Sequence, residues 1–207
     1  DHGSNLDVIL ATERGIVALL ALGNMTFADA TSFSHMPPAD HPFTSLVPVD
    51  WDRDADIDIV ATAPEGGLVG YLENKRHGNF RWVVFDKEFD ELKGSTSLSL
   101  LDCDGNASWD LVGIGATGLQ LVQTHSSPSG IPHATHTSRT GDVRFAGLTL
   151  WDYDNDGFQD ALVWSDDGLV VYRGTVEGTF TIAASMFADA PRAIRKCDVA
   201  DFDSDGD

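Results

Sequence analysis

Aspartate residues recur at a fixed spacing in this chain, and their chemistry is that of a cation site. In segments 50–58, 102–110 and 152–160 an acidic or amide residue stands at positions 1, 3, 5 and 9, and residues 201–207 begin a fourth copy. Carboxylates crowded into one short loop repel each other, so the loop requires a cation or must bind protons. Oxygen-only ligands with several carboxylates favour Ca²⁺ over Zn²⁺ or Cu²⁺. The spacing therefore predicts Ca²⁺ as the bound cofactor.

The predicted ligands combine side chains with one backbone carbonyl in each loop. Position 7 varies in residue type, as expected if it coordinates through its carbonyl oxygen. The motif is not an EF-hand, because its twelfth residue would then be Glu but is Ala61, Gly113 or Val163. The candidate metal ligands are Asp50, Asp52, Asp54, Asp56, Asp58, Asp102, Asp104, Asn106, Ser108, Asp110, Asp152, Asp154, Asp156, Phe158, Asp160, Asp201, Asp203 and Asp205.

The three complete loops are not equivalent. The 152 loop has the full acid set and Gly157 at its sharp turn, the 50 loop has Ala55 in that place, and the 102 loop has Asn106 and Ala107. The predicted order of Ca²⁺ affinity is therefore the 152 loop, then the 50 loop, then the 102 loop. The alternative interpretation is that these aspartates are solvated turn residues without an ion.

Composition excludes several classes of function. The 207 residues include 27 Asp but only 6 Glu, and the formal net charge is −20. A charge of this sign argues against nucleic acid as a partner. No apolar run approaches the roughly 20 residues of a membrane-spanning helix, so membrane insertion of this segment is not expected. Two Cys do not make a disulfide framework.

The elements that carry the Asp loops repeat with them. The first Asp of each copy falls at 50, 102, 152 and 201, a spacing of 52, 50 and 49 residues. A Gly follows eight residues after the last motif Asp, between two short apolar runs that are typical of a β-hairpin. Four short strands per unit predict an all-β chain built of β-propeller blades. Residues 1–207 form one propeller region, with units at about 1–49, 50–101, 102–151 and 152–200, and residues 201–207 beginning the next.

The motif resembles the FG-GAP/VCBS repeats of integrin-α-type β-propellers. The resemblance rests on Asp-x-Asp-x-Asp-Gly-x-x-Asp before an apolar strand and on Gly178, Thr179 and Phe180 in the outer hairpin. The sequence of residues 152–157 is especially similar to repeats of the secreted cartilage-acidic-protein type. Repeats of this type also occur in bacterial proteins with a downstream ASPIC/UnbV segment. The resemblance implies an extracellular or periplasmic location and structural Ca²⁺ in the blade loops. It also implies adhesion or assembly through a protein or glycan ligand.

Such propellers usually close with about seven blades, whereas about four fit here. We therefore expect part of a longer propeller that continues into further blades or domains, with a closed four-bladed ring as the alternative.

Two other functions remain open at this stage. A carbohydrate-binding propeller would repeat an aromatic and a polar residue in each blade, and the five Trp do not repeat in that way. A propeller enzyme such as a polysaccharide lyase needs one blade-specific cluster, and only the region of His125, His133 and His136 comes close. Histidines on loops and the surface are the favoured interpretation of that region. We expect no catalytic residues, and a noncatalytic binding module is the favoured function.

Overall fold

The strands follow the predicted repeat. A computed structural model of the chain describes residues 6–31, 36–37, 41–63, 67–141, 144–183 and 193–200. In these ranges the strands are β1 Val8–Thr12, β2 Gly15–Gly23, β3 Thr26–Asp29, β4 Ser45–Val49, β5 Asp58–Thr62, β6 Val69–Asn74, β7 Phe80–Val84, β8 Ser95–Leu101, β9 Asp110–Gly115, β10 Gly118–Ser126, β11 Pro132–Thr140, β12 Gly147–Trp151, β13 Asp160–Ser165, β14 Gly168–Gly174 and β15 Phe180–Ile182. One short 3₁₀ helix, Lys87–Leu92, connects β7 to β8.

The strands form four antiparallel sheets in chain order. Sheet 1 contains β1, β2 and β3, sheet 2 runs from β4 to β7, sheet 3 from β8 to β11 and sheet 4 from β12 to β15. The all-β fold and the repeated four-stranded blade are thereby confirmed for sheets 2 to 4. Sheet 1 has three strands among the described residues, and β1 occupies the place that β5, β9 and β13 take in the other sheets.

The turns between second and third strands confirm the predicted glycines. Gly15, Gly118 and Gly168 have φ of 126°, 96° and 135°, a region that glycine adopts without steric cost. Gly66, predicted for the same place in sheet 2, lies outside the described residues. Each of these turns joins two neighbouring strands, which pair antiparallel as a tight hairpin.

The hydrophobic core lies between successive sheets. One apolar cluster joins sheets 1 and 2, a second joins sheets 2 and 3, and a third joins sheets 3 and 4. The first strands lie side by side, with β8 between β4 and β12. At this contact the Leu98 N–H donates to Ser45 Oγ at 3.0 Å. Sheets packed face to face with their first strands together form a β-propeller-like arrangement.

Each complete Asp loop connects the first and second strands of one sheet. A sequence unit that begins at the loop therefore contains three strands of one sheet and the first strand of the next. No helix in the described part of the chain is long and apolar enough to cross a membrane.

Candidate metal centres

Three Asp side chains come together in each complete loop. One carboxylate oxygen from each of positions 1, 3 and 9 lies within 4.8 Å of the others, and the same three positions are involved every time. The groups are Asp50, Asp52 and Asp58; Asp102, Asp104 and Asp110; and Asp152, Asp154 and Asp160. The structure thus brings together nine of the predicted ligands in three groups, each at loop positions 1, 3 and 9, that could hold a metal ion.

The Asp at position 9 also fixes the shape of the loop. Asp58, Asp110 and Asp160 expose 1% or less of their surface. Each accepts one hydrogen bond from the backbone N–H of loop position 2 and one from the third strand of the same sheet, at 2.7–3.0 Å. The donors are Trp51 and Asn74, Cys103 and Thr124, and Tyr153 and Gly174. This aspartate therefore ties the loop to the sheet and also contributes to the carboxylate group.

Burial makes the ionised form of these carboxylates costly. Loss of solvation raises the pKa of Asp58 from 3.8 to about 6, and the nearby charge of Asp52 adds to the rise. Burial likewise raises the pKa of Asp110 and Asp160. The pKa of Asp52 is raised by burial first and by Asp54 second. Without a cation the groups therefore favour proton uptake, and a bound cation would favour their ionised state.

One oxygen in the 50 loop has an unmet requirement. Asp50 Oδ1 is buried and has no hydrogen-bond partner among the described residues, while the other carboxylate oxygen of Asp50 accepts the N–H of Ala55 at 3.2 Å. A buried charged oxygen without a partner is expensive. A hard divalent cation at the centre of the three carboxylates would satisfy it, so the residues present fit Ca²⁺.

Two left-handed residues curl each loop around its first carboxylate. Asp102 accepts the N–H groups of positions 5 and 6 at 3.1 and 2.9 Å, and Asp152 repeats both distances. Positions 4 and 6 have φ between 55° and 90° throughout, at Arg53, Ala55, Gly105, Ala107, Asn155 and Gly157. The requirement at position 4 was not apparent from the sequence, because Arg, Gly and Asn occupy it.

Position 5 lies outside the three-carboxylate groups. Asp54, Asn106 and Asp156 instead accept the N–H two residues ahead, at 2.6–3.0 Å. In the 152 loop the Arg173 guanidinium contacts Asp154 at 2.7 Å and Asp156 at 2.8 Å. Arg173 therefore supplies a positive charge of its own to the loop ranked first from sequence. A ligand role for position 5 stays a prediction.

The remaining predicted ligands are placed as follows. At position 7, Asp56 is ion-paired with Arg76 at 2.5 Å, Ser108 Oγ lies 2.9 Å from Ser126 Oγ, and Phe158 is half-buried. Their carbonyl coordination stays a prediction. Asp201, Asp203 and Asp205 lie outside the described residues.

Each complete loop of sheets 2 and 3 also touches the next sheet. A Cβ on Gly130, in the β10–β11 turn, would lie 2.4 Å from the carbonyl oxygen of Asp52. A Cβ on Gly178, in the β14–β15 turn, would lie 3.1 Å from Cβ of Asp104. The Arg53 guanidinium donates to the carbonyl oxygen of Ala107 in the neighbouring loop. The candidate metal centres therefore lie at contacts between sheets.

The other residues singled out in the sequence do not form a comparable centre. His125, His133 and His136 are exposed, and the first two face each other across the β10–β11 pair with ring centroids 6.2 Å apart. Cys103 and Cys197 are free thiols. Cys197 is partly exposed. Cys103 donates to Asp110 Oδ2 at 2.9 Å, and burial raises the pKa of this thiol.

Comparison with known proteins identifies the repeat and the fold. Residues 152–207 match a family described as an FG-GAP-like repeat. A search of curated proteins found no match to the chain. Among solved structures the chain is similar to an Agrocybe aegerita lectin reported to recognise non-reducing terminal N-acetylglucosamine, with 16% sequence identity and a TM-score of 0.50. The alignment covers 86% of this chain and 48% of the lectin, so this chain spans about half the length of its structural relative. At this identity the likeness concerns the fold alone.

Proposed function

We propose that this chain is a noncatalytic β-propeller module that is stabilised by Ca²⁺ and binds a protein or glycan partner. The observation that carries the proposal is the threefold repetition of a carboxylate group with a buried Asp at position 9. If these aspartates were only solvated turn residues, their carboxylates would be exposed, and the same position would not be buried in all three loops.

The role of the ion is structural in this proposal. Each carboxylate group lies where a loop connects two strands, and the loops of sheets 2 and 3 touch the following sheet. All three groups offer only oxygen atoms, which are the ligands that Ca²⁺ prefers. We propose an extracellular or periplasmic location, because the resemblance of the Asp loops to FG-GAP/VCBS repeats implies one.

The partner is proposed at the level of chemical class. The FG-GAP-like repeat and the likeness to a lectin motivate tests with both protein and glycan ligands. A net charge of −20 makes nucleic acid an unfavourable partner. Fold-level likeness does not specify an activity, so the binding function requires its own test.

The test is Ca²⁺ uptake by the purified chain after removal of divalent ions. Isothermal titration should give about three sites, and the thermal melt should rise as Ca²⁺ is added. Binding to the folded state alone contributes about 2.7 kcal/mol per site at a hundredfold excess over Kd. The double variant Asp50→Asn, Asp52→Asn should lose one site. Its control, Asp166→Asn with Asp167→Asn, removes the same charge from an exposed turn and should keep all sites. A melting temperature that does not change with Ca²⁺, together with no Ca²⁺ binding in the titration, would refute the proposal.

A further inference from the structure

A groove of about 700 Å³ lies between the outer parts of sheets 2 and 3. Its walls are the end of β7 with the residues that follow it and the β10–β11 hairpin. Strand β11 has nine residues, whereas the other outer strands β3, β7 and β15 have 4, 5 and 3. The 3₁₀ helix Lys87–Leu92 lies beside this groove and contributes Glu88 and Phe89 to its lining. Among the described residues, the nine-residue β11 therefore distinguishes this wall of the groove from the other outer strands.

Apolar side chains line both walls of the groove. Phe85 and Phe89 line it and stack on each other with ring centroids 4.3 Å apart. Val84 and Ile131 lie at its edges with 58% and 41% of their surface exposed. Exposed apolar side chains grouped around a concavity are typical of a binding surface.

The wall that follows β7 also carries two acidic side chains. Asp86 and Glu88 line the groove, are exposed, and have no ion-pair partner within the described part of the chain. The next two acids along the 3₁₀ helix are paired, Asp90 with Lys93 at 2.6 Å and Glu91 with Arg139 at 2.5 Å. No Lys or Arg is among the described residues that line the groove. The groove thus combines an apolar lining with two exposed carboxylates that form no ion pair with another described residue.

We infer that this groove binds a short segment of a partner protein in which a basic residue stands next to an apolar one. The guanidinium or ammonium group pairs with Asp86 and Glu88, and the apolar neighbour contacts Phe85 and Ile131. Complementary charge favours this encounter with a chain of net charge −20. The inference rests on the proposed binding function and names the partner class at one surface.

A basic peptide suits the groove better than a neutral sugar does. Sugars stack on an aromatic face that is free, whereas Phe85 already packs against Phe89 and Trp51, with centroids 4.3 and 5.2 Å away. Tyr71 and Phe89 are also buried, with 2% and 4% of their surface exposed. Apolar contact with ring edges and ion pairing at the rim remain available, and both are contacts that a basic, partly apolar peptide makes.

The test uses the whole chain with saturating Ca²⁺ at 150 mM NaCl. The probe is an acetylated and amidated pentapeptide of sequence Gly-Arg-Leu-Arg-Gly, titrated by fluorescence polarisation with a labelled copy and by ¹⁵N NMR. Peptide shifts should centre on residues 83–89 and 127–134. The variant Asp86→Asn with Glu88→Gln should weaken binding about tenfold, and Asp166→Asn with Asp167→Asn should change it less than twofold.

A second pair of variants tests the apolar contact. Ile131→Ser should weaken peptide binding several-fold. Leu22→Ser, at a site 66% exposed on sheet 1, should leave peptide binding unchanged. Absence of binding, equal weakening by the two charge variants, or unchanged binding of a peptide with Ser in place of Leu would each overturn the inference. Chitobiose that shifts the same residues when the peptide does not would assign the groove to a glycan instead. The Ca²⁺-dependent melt of the same samples reports separately on the proposed function.

Discussion

The raised pKa of Asp58 predicts that the ion-free chain becomes less stable as pH rises. The pKa is 3.8 in the unfolded chain and about 6 in the folded one. The folded state therefore binds more protons between about pH 4 and 6, and its free energy of unfolding falls through this window. The full change is about 3 kcal/mol, of which about 1 kcal/mol falls between pH 5 and 7.

The assay is urea unfolding in EDTA from pH 5 to 7.5, with Asp58→Asn as the comparison. Asparagine is neutral at every pH, so the stability difference between wild type and variant should shrink by about 1 kcal/mol over this range. The variant starts less stable by about 1–3 kcal/mol, because its amide satisfies only one of the N–H groups of Trp51 and Asn74. Asp167→Asn, in an exposed turn, should follow the wild type.

The same unfolding measurements in saturating Ca²⁺ test whether the carboxylates bind a cation. A cation stabilises the ionised carboxylates, so in saturating Ca²⁺ the wild type should no longer lose stability between pH 5 and 7. A wild-type chain in EDTA whose stability relative to Asp58→Asn stays flat or rises with pH would refute the reasoning about burial.

Three further predictions follow from single residues. Ala55→Gly should raise the free energy of unfolding by about 1 kcal/mol, because Ala55 has φ of 70°; thermal melts check this, and Ala61→Gly in fully buried β5 should do the opposite. Arg173→Gln should raise Ca²⁺ affinity of the 152 loop about two- to fivefold, because it removes the guanidinium from Asp154 and Asp156; weaker binding in isothermal titration would contradict this. Trp51→Ala should cost about 3–5 kcal/mol, because Trp51 is fully buried, whereas Trp109→Ala, at a site 41% exposed, should cost far less in the same unfolding assay.

The sequence predicted what the repeat imposes. The repeated four-stranded sheets and their antiparallel hairpins depend on a spacing that recurs every 50 residues or so. Of the predicted ligand positions 1, 3, 5, 7 and 9, the structure groups the carboxylates of positions 1, 3 and 9. The departures concern individual contacts. At loop position 2, for example, Trp51 is fully buried whereas Tyr153 is 39% exposed. Arg173 lies 13 residues beyond Asp160, on the third strand, and only the register of the hairpin places it on the 152 loop. The groove is lined by residues of two neighbouring sheets, so no single repeat unit encodes it.

The position of the carboxylate groups bears on how Ca²⁺ would stabilise the chain. In sheets 2 and 3 the loop that holds three carboxylates also supports the glycine turn of the following sheet, at Gly130 and Gly178. A loop distorted by carboxylate repulsion would lose this contact, because a turn that packs against a backbone at such short range requires one loop shape. An ion that fixes the loop would therefore stabilise the contact between sheets as well as the loop itself. Because each sheet packs mainly against its neighbours, filling one site should protect amides in the following sheet from hydrogen exchange.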